Sequence, residues 1–288
     1  MPILRIGPAH IDAPFAYVHS NTTTKKHTHV KDKATLSRIE ALHIPPAYTN
    51  VVIASNKDDK VQAYGYDSKG RKQFIYAKWF VEQQDSMKFK KVMQLSKPMK
   101  VLTSHVDNEL SNKSLEPSNS LQICVILKLM MLCNFRIGSK QNVAKYKSYG
   151  LTTLEWQHVI FDKQRKSVHI SFIGKKGVLN ESTCKDAKIY NIFVAFKNRT
   201  KDKNKKIFTV SSKDVNVYLK QFGDISSKDI RTWQANVLFA KYFLENKGND
   251  DSVEKRQKSA IKQVAEDLHN TEAVCKKSYI NPDFLKSA

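Results

Sequence analysis

Near its C-terminal end the chain reads LHNTEAVCKKSYINP, Leu268 to Pro282, and sets a tyrosine, Tyr279, among lysines directly after an expected helix. A phenol with a pKa near ~10 is a weak nucleophile at neutral pH. It does chemistry only where cations elsewhere in the fold lower that pKa or stabilise a transition state. Three places in the sequence offer such cations. Arg136 follows a strongly apolar run in FRIGS, where a guanidinium is costly to desolvate without an anionic partner, either a carboxylate of the protein or a phosphate. Lys175 and Lys176 occupy the GKKG tip of an expected hairpin, and such lysines are solvated unless the hairpin reaches into a groove. Arg231, in KDIRTW, falls in the first turns of an expected helix, where free N–H groups already favour an anion. An arginine there is electrostatically out of place unless helix end and guanidinium share one phosphate, or a nearby acid such as Asp229 offsets it.

The bulk numbers say what kind of partner supplies the anion. Lys and Arg total 49 against 27 Asp and Glu in 288 residues, a formal charge of +22. An excess of that size points to a polyanion, most simply nucleic acid. No lipidation signal, long basic amphipathic helix or hydrophobic span favours a membrane. The cysteines, Cys124, Cys133, Cys184 and Cys275, show no CxxC pairing, and MPILRIGPAH lacks the layout of a signal peptide. A reducing intracellular compartment is expected. The nine histidines show no metal-ligand spacing, so the expected chemistry uses no metal and no cofactor.

The elements that must position these groups divide into two domains, residues 1–82 and 83–288. The first holds short β-like runs, Val51 to Ile53 and Gln73 to Tyr76, between turn-forming clusters. The second is mainly helical, with Thr103 to Ser120 expected as a polar loop. Leu121 to Phe135 is apolar on nearly every face, as in a helix at the centre of a core. Ser167 to Leu179 alternates like a strand and turns at Gly174 to Gly177, and helices are expected over 186–198, 212–221, 228–246 and 252–268. Ser226 to Asp229 has capping-box spacing. The fold class is therefore α+β: a small strand-rich N-terminal domain, then a larger mainly α-helical catalytic domain carrying a β-hairpin.

Taken in order, Arg136 in FRIGS, Lys175 in FIGKKG, Arg231 in KDIRTW and Tyr279 in AVCKKSYINP resemble the signature of the small type IB DNA topoisomerases of poxviruses, other large DNA viruses and bacteria. Further matches lie in IPPAYTNVVI, DSKGRKQFIYAKW, SYGLTTL and VAEDLHNTEAVCKKSY, so the likeness spans most of the chain. The resemblance implies a monomer that clamps double-stranded DNA and acts inside a cell, in a viral setting or on a bacterial nucleoid. It implies that Tyr279 attacks a backbone phosphate to give a 3′-phosphotyrosyl link, that Arg136 and Arg231 contact the nonbridging oxygens, and that Lys175 protonates the departing 5′ oxygen. The cut strand then rotates and is resealed, without ATP.

Poxvirus members carry a histidine nine positions before the tyrosine, whereas this chain has Asn270, as bacterial members do, with His269 beside it. An amide N–H donates to a phosphoryl oxygen as an imidazole does, so the resemblance assigns Asn270 the remaining donor role and leaves His269 as a solvent-facing neighbour. Arg71, Lys72, Phe74, Tyr76, Lys176 and Lys228 are the expected further DNA contacts. Tyrosine recombinases share the catalytic set and are the alternative, but they usually carry HxxR where this chain has KDIR, with Lys228 at the histidine position. The N-terminal part also resembles the topoisomerase clamp.

Overall fold

The structure, a computed structural model, describes residues 1–7, 15–20, 26–111, 115–245 and 252–286. The chain divides into two compact units, Met1–Phe89 and Lys90–Ala288.

The first unit is built on six strands: β1 (Ile3–Ile6), β2 (Ala16–Ser20), β3 (His27–His29), β4 (Thr49–Ile53), β5 (Val61–Tyr66) and β6 (Lys72–Tyr76). They form one sheet in the order β3-β2-β1-β4-β5-β6, antiparallel throughout. Helix α1 (Lys33–Ala41) adds Ile39 to the core made by Ile3, Val51, Ile53 and Ala63. This helix was not expected. Its start is nevertheless written in the sequence, since the Asp32 carboxylate accepts from the N–H of Thr35 at 2.8 Å as an N-cap. Helix α2 (Lys78–Met93) runs unbroken across the boundary expected after residue 82, and the units divide instead at Phe89 and Lys90.

The second unit comprises α3 (Ser96–Glu109), α4 (Asn119–Cys133), α5 (Lys140–Tyr146), a sheet of β7 (Val159–Asp162), β8 (Ser167–Ile173) and β9 (Leu179–Cys184), then α6 (Ala187–Lys197), α7 (Ser212–Leu219), α8 (Ser227–Glu245), α9 (Val253–Asp267), α10 (Glu272–Ser278) and α11 (Pro282–Lys286). As its composition requires, α4 is buried on nearly every side at the heart of the main core. Its one charge, Lys128, pairs with Asp107 at 2.7 Å. No helix among the described residues is long and apolar enough to cross a membrane.

The loop expected over Thr103 to Ser120 is a correction. Helix α3 continues to Glu109 because Met99, Leu102, Val106 and Leu110 recur at helical spacing and are all buried. The polar residues between them face outward and hid that stripe. Residues 112–114 of the expected loop lie outside the described residues. The β8–β9 hairpin turns at Gly174 to Gly177 as expected, and β7 pairs with the free edge of β8.

Candidate active site

Helix α4 ends at Cys133. Asn134 takes a left-handed conformation (φ 52°, ψ 26°) and donates its N–H to the Met130 carbonyl, which closes the helix and starts the FRIGS loop. Phe135 plugs into the core, and Arg136 emerges beside it. The loop is fixed by its backbone against the SYGLTT segment: the N–H of Leu151 donates to Arg136 O at 3.0 Å, and that of Thr152 to Ile137 O at 2.9 Å. Two glycines permit this approach. A Cβ on Gly150 would lie 2.6 Å from the Cα of Gly138, closer than any real Cβ contact. Gly150→Ala is therefore expected to cost about 1–3 kcal/mol through overpacking, read as a lower urea midpoint. An unchanged midpoint would mean that the two loops are not locked together.

Arg231 stands at the start of α8, whose N-terminus is closed by the expected capping box. Ser226 N–H donates to the Asp229 carboxylate at 3.0 Å, and Asp229 N–H donates to Ser226 Oγ at 3.3 Å. Asp229 thus caps the helix and pairs with Lys91 at 3.0 Å, rather than with the arginine. The guanidinium of Arg231 is buried, and it donates to the carbonyls of Asn134 and Leu268. Those carbonyls terminate α4 and α9, so two negative helix ends offset a cation that its own helix disfavours. Its Nε remains buried without a partner. Burial, then the charge of Arg136, brings the Arg231 pKa down to about 10. Among the described residues no carboxylate lies within 4.0 Å of Arg136 or Arg231. The structural ion pair left open for Arg136 is absent, and its guanidinium instead donates to Asn270 Oδ1 at 2.8 Å.

Tyr279 caps the end of α10. Asn236, buried on α8, holds it from behind: its Nδ2 donates to the Tyr279 carbonyl at 2.8 Å, and its Oδ1 accepts from the N–H of Asn281 at 2.8 Å. Nothing in the sequence singles out Asn236, since its function lies in a backbone contact 43 residues away. Burial pushes the Tyr279 phenol up, but the charges of Arg231 and Arg136 outweigh it and leave the pKa below the ordinary tyrosine value. The Arg231 guanidinium carbon lies 5.5 Å from the centre of the Tyr279 ring.

These groups share one cavity of about 240 Å³, lined among others by Arg136, Lys175, Lys228, Arg231 and Tyr279. Lys175 reaches it from the hairpin tip, where a Cβ on Gly174 would strike the buried Asn180 amide at 2.5 Å. Lys176 is exposed beside it with a left-handed backbone (φ 64°) and does not line the cavity. Asn270 joins the set through Arg136, and its Nδ2 is buried without a hydrogen-bond partner. His269, expected to face solvent, is half-buried, and its ring stacks on Phe135 with centroids 5.3 Å apart. Two guanidinium groups without a carboxylate partner among the described residues, a lysine and the buried Arg231 Nε and Asn270 Nδ2 donors gather at the phenol, an arrangement suited to an anion.

A family model described as the catalytic core of eukaryotic DNA topoisomerase I matches residues 69–285, and one described as the N-terminal domain of bacterial DNA topoisomerase IB matches residues 15–67. The chain belongs to the type IB DNA topoisomerases. It is 30% identical to DNA topoisomerase 1B of Acanthamoeba polyphaga mimivirus over 278 residues, covering 87% of this chain and 82% of that protein. Against DNA topoisomerase 1B of Vaccinia virus (strain Copenhagen) the identity is 23%, covering 86% of this chain and 80% of that protein. As a topoisomerase, the protein takes DNA as its substrate.

The N-terminal unit of this topoisomerase presents a surface of its own. On β6, Lys72, Phe74 and Tyr76 point to one exposed face while Ile75 packs toward the core, so the two aromatics are not buried strand residues. The Lys72 ammonium sits 3.7 Å from the centre of the Tyr64 ring, opposite Phe74 across the strand pair. Arg71, expected at phosphate, has a partner within its own unit. Its guanidinium pairs with Asp67 at 2.6 Å across the β5–β6 turn, and that bond holds the Asp67 carboxyl down at about 2.

Proposed function

We propose that this topoisomerase relaxes supercoiled duplex DNA by cutting one strand, letting it rotate about the other, and resealing it. The Tyr279 hydroxyl gives up its proton to water and attacks a backbone phosphorus. A 3′-phosphotyrosyl ester forms, the bond to the 5′ oxygen breaks, and Lys175 supplies the proton that makes that oxygen a competent leaving group. Arg136, Arg231 and the Asn270 amide hold the nonbridging oxygens, whose charge peaks in the pentacoordinate transition state. Resealing is the same step reversed. One ester replaces another, so the reaction needs neither ATP nor a metal ion.

One observation carries this reading: Arg136, Arg231 and Lys175, none with a carboxylate partner among the described residues, line the same cavity as Tyr279, whose pKa the two arginines lower. Lys228, which also lines the cavity, and Lys72, Phe74 and Tyr76 on the N-terminal unit are assigned to the flanking DNA. The exposed Lys176 and Arg71 are assigned to DNA with them. A single chain contains the whole catalytic set, so a monomer suffices, working where DNA lies inside a cell. Incubation with an arbitrary supercoiled plasmid, with EDTA and without ATP, is expected to give a ladder of relaxed topoisomers. A requirement for paired target sites would identify a recombinase instead, and a requirement for ATP or a divalent cation would contradict the mechanism.

A further inference from the structure

Helix α9 ends in the turn Leu268-His269-Asn270. The N–H of Asn270 donates to Ala265 O at 2.9 Å and that of His269 to Glu266 O at 3.0 Å. This is the paired closure whose central residue takes a left-handed conformation and is ordinarily glycine. Here it is His269, at φ 48°. A bulky side chain in that region is disfavoured and persists only where its surroundings hold it. The imidazole stacks on Phe135, the residue directly before Arg136, with ring planes 27° apart, while its Nε2 is buried without a partner. Its backbone leads directly to Asn270, whose Oδ1 accepts from Arg136.

We propose that His269 is a positioning residue for strand transfer, its ring holding Phe135, and with it Arg136, against the turn that presents Asn270. The groups acting on the ring come from every side: the Cys133 carbonyl at the end of α4, Arg136 from the loop, Arg231 from α8, and Asp267 from its own helix. Asp267 already accepts from the Tyr242 hydroxyl at 2.5 Å. Burial lowers the His269 pKa, the Cys133 carbonyl opposes that drop, and the two guanidinium groups deepen it. The ring is therefore neutral at neutral pH. Protonation in acid adds a third cation beside two that have no carboxylate partner, and it loosens the stack that sets Arg136. This role rests on the cleavage reaction proposed above.

The test uses the full chain and a suicide duplex that traps the covalent adduct, with single-turnover rates measured from about pH 5 to 9. His269→Gly suits the left-handed backbone and should keep or raise the melting temperature, yet slow adduct formation about tenfold or more with DNA affinity unchanged. His269→Phe keeps the stack without a titrating group and should lose the extra fall in rate that sets in below the ordinary histidine pKa, leaving only the rise with pH that Tyr279 imposes. A wild-type rate for His269→Gly, or a His269→Phe profile unchanged from that of the unaltered protein, would overturn the inference. If His269→Phe fails to fold, the His269→Gly rate decides alone. Absence of any adduct with the unaltered protein removes the functional reading itself, and this inference with it.

Discussion

Tyr279→Phe is expected to abolish both the covalent protein–DNA adduct and plasmid relaxation while leaving DNA affinity and stability near those of the unaltered protein. In the proposed mechanism the phenol oxygen forms the new ester, so its removal leaves nothing to attack phosphorus. The ring itself remains, still beside the Arg231 guanidinium, with its carbonyl still held by Asn236. Packing is thereby preserved. Affinity should persist because it comes from many phosphate contacts of a chain with formal charge +22, and it should keep falling steeply with salt. Gel shifts at two salt concentrations and adduct detection after denaturation separate the two properties. Residual adduct in this variant refutes Tyr279 as the nucleophile. The lowered phenol pKa also fixes the direction of the pH dependence. At each pH below the ordinary tyrosine value more phenolate is present than in a free tyrosine, so cleavage should rise with pH and level off early.

The second large effect is expected at Arg231. Its guanidinium ties the ends of α4 and α9 together while keeping an unpartnered Nε inside the site. Arg231→Ala leaves one buried and one part-buried carbonyl without a donor, which costs roughly 1–3 kcal/mol for each, and on the proposed mechanism it also removes a transition-state charge. Arg231→Lys separates the two losses. An ammonium keeps the charge, but it lacks the planar fork that serves two carbonyls and an oxygen of phosphate at once. Single-turnover cleavage by Arg231→Lys should fall about 10²–10³-fold, with a smaller loss of urea midpoint than in Arg231→Ala. Cleavage at the wild-type rate by Arg231→Lys would place this arginine in the scaffold alone.

The sequence carried the helices whose apolar residues recur at plain helical spacing. The expected spans 186–198 and 252–268 correspond to α6 and α9, and the apolar 121–135 run to α4. It was blind where polar residues interrupt the stripe, as in α3, and where a short element is held by its cap, as in α1. The charged and phenolic residues that share the cavity were legible as candidates because their types announce chemistry, and their order resembles a known pattern. Asn236, Gly150 and the stacking of His269 were not, since each acts through the backbone or ring of a residue far away in sequence. The electrostatic puzzle of Arg231 was stated correctly from sequence. Its resolution needed two carbonyls, 97 and 37 residues away, that no local pattern foretells.

The account stands most directly on which atom joins protein to DNA. A suicide duplex radiolabelled beside the break, trapped with the full chain, digested with protease and sequenced by mass, should yield a single peptide carrying the nucleotide on Tyr279 through a 3′ phosphate. A nucleotide on any other side chain, or joined through a 5′ phosphate, contradicts it.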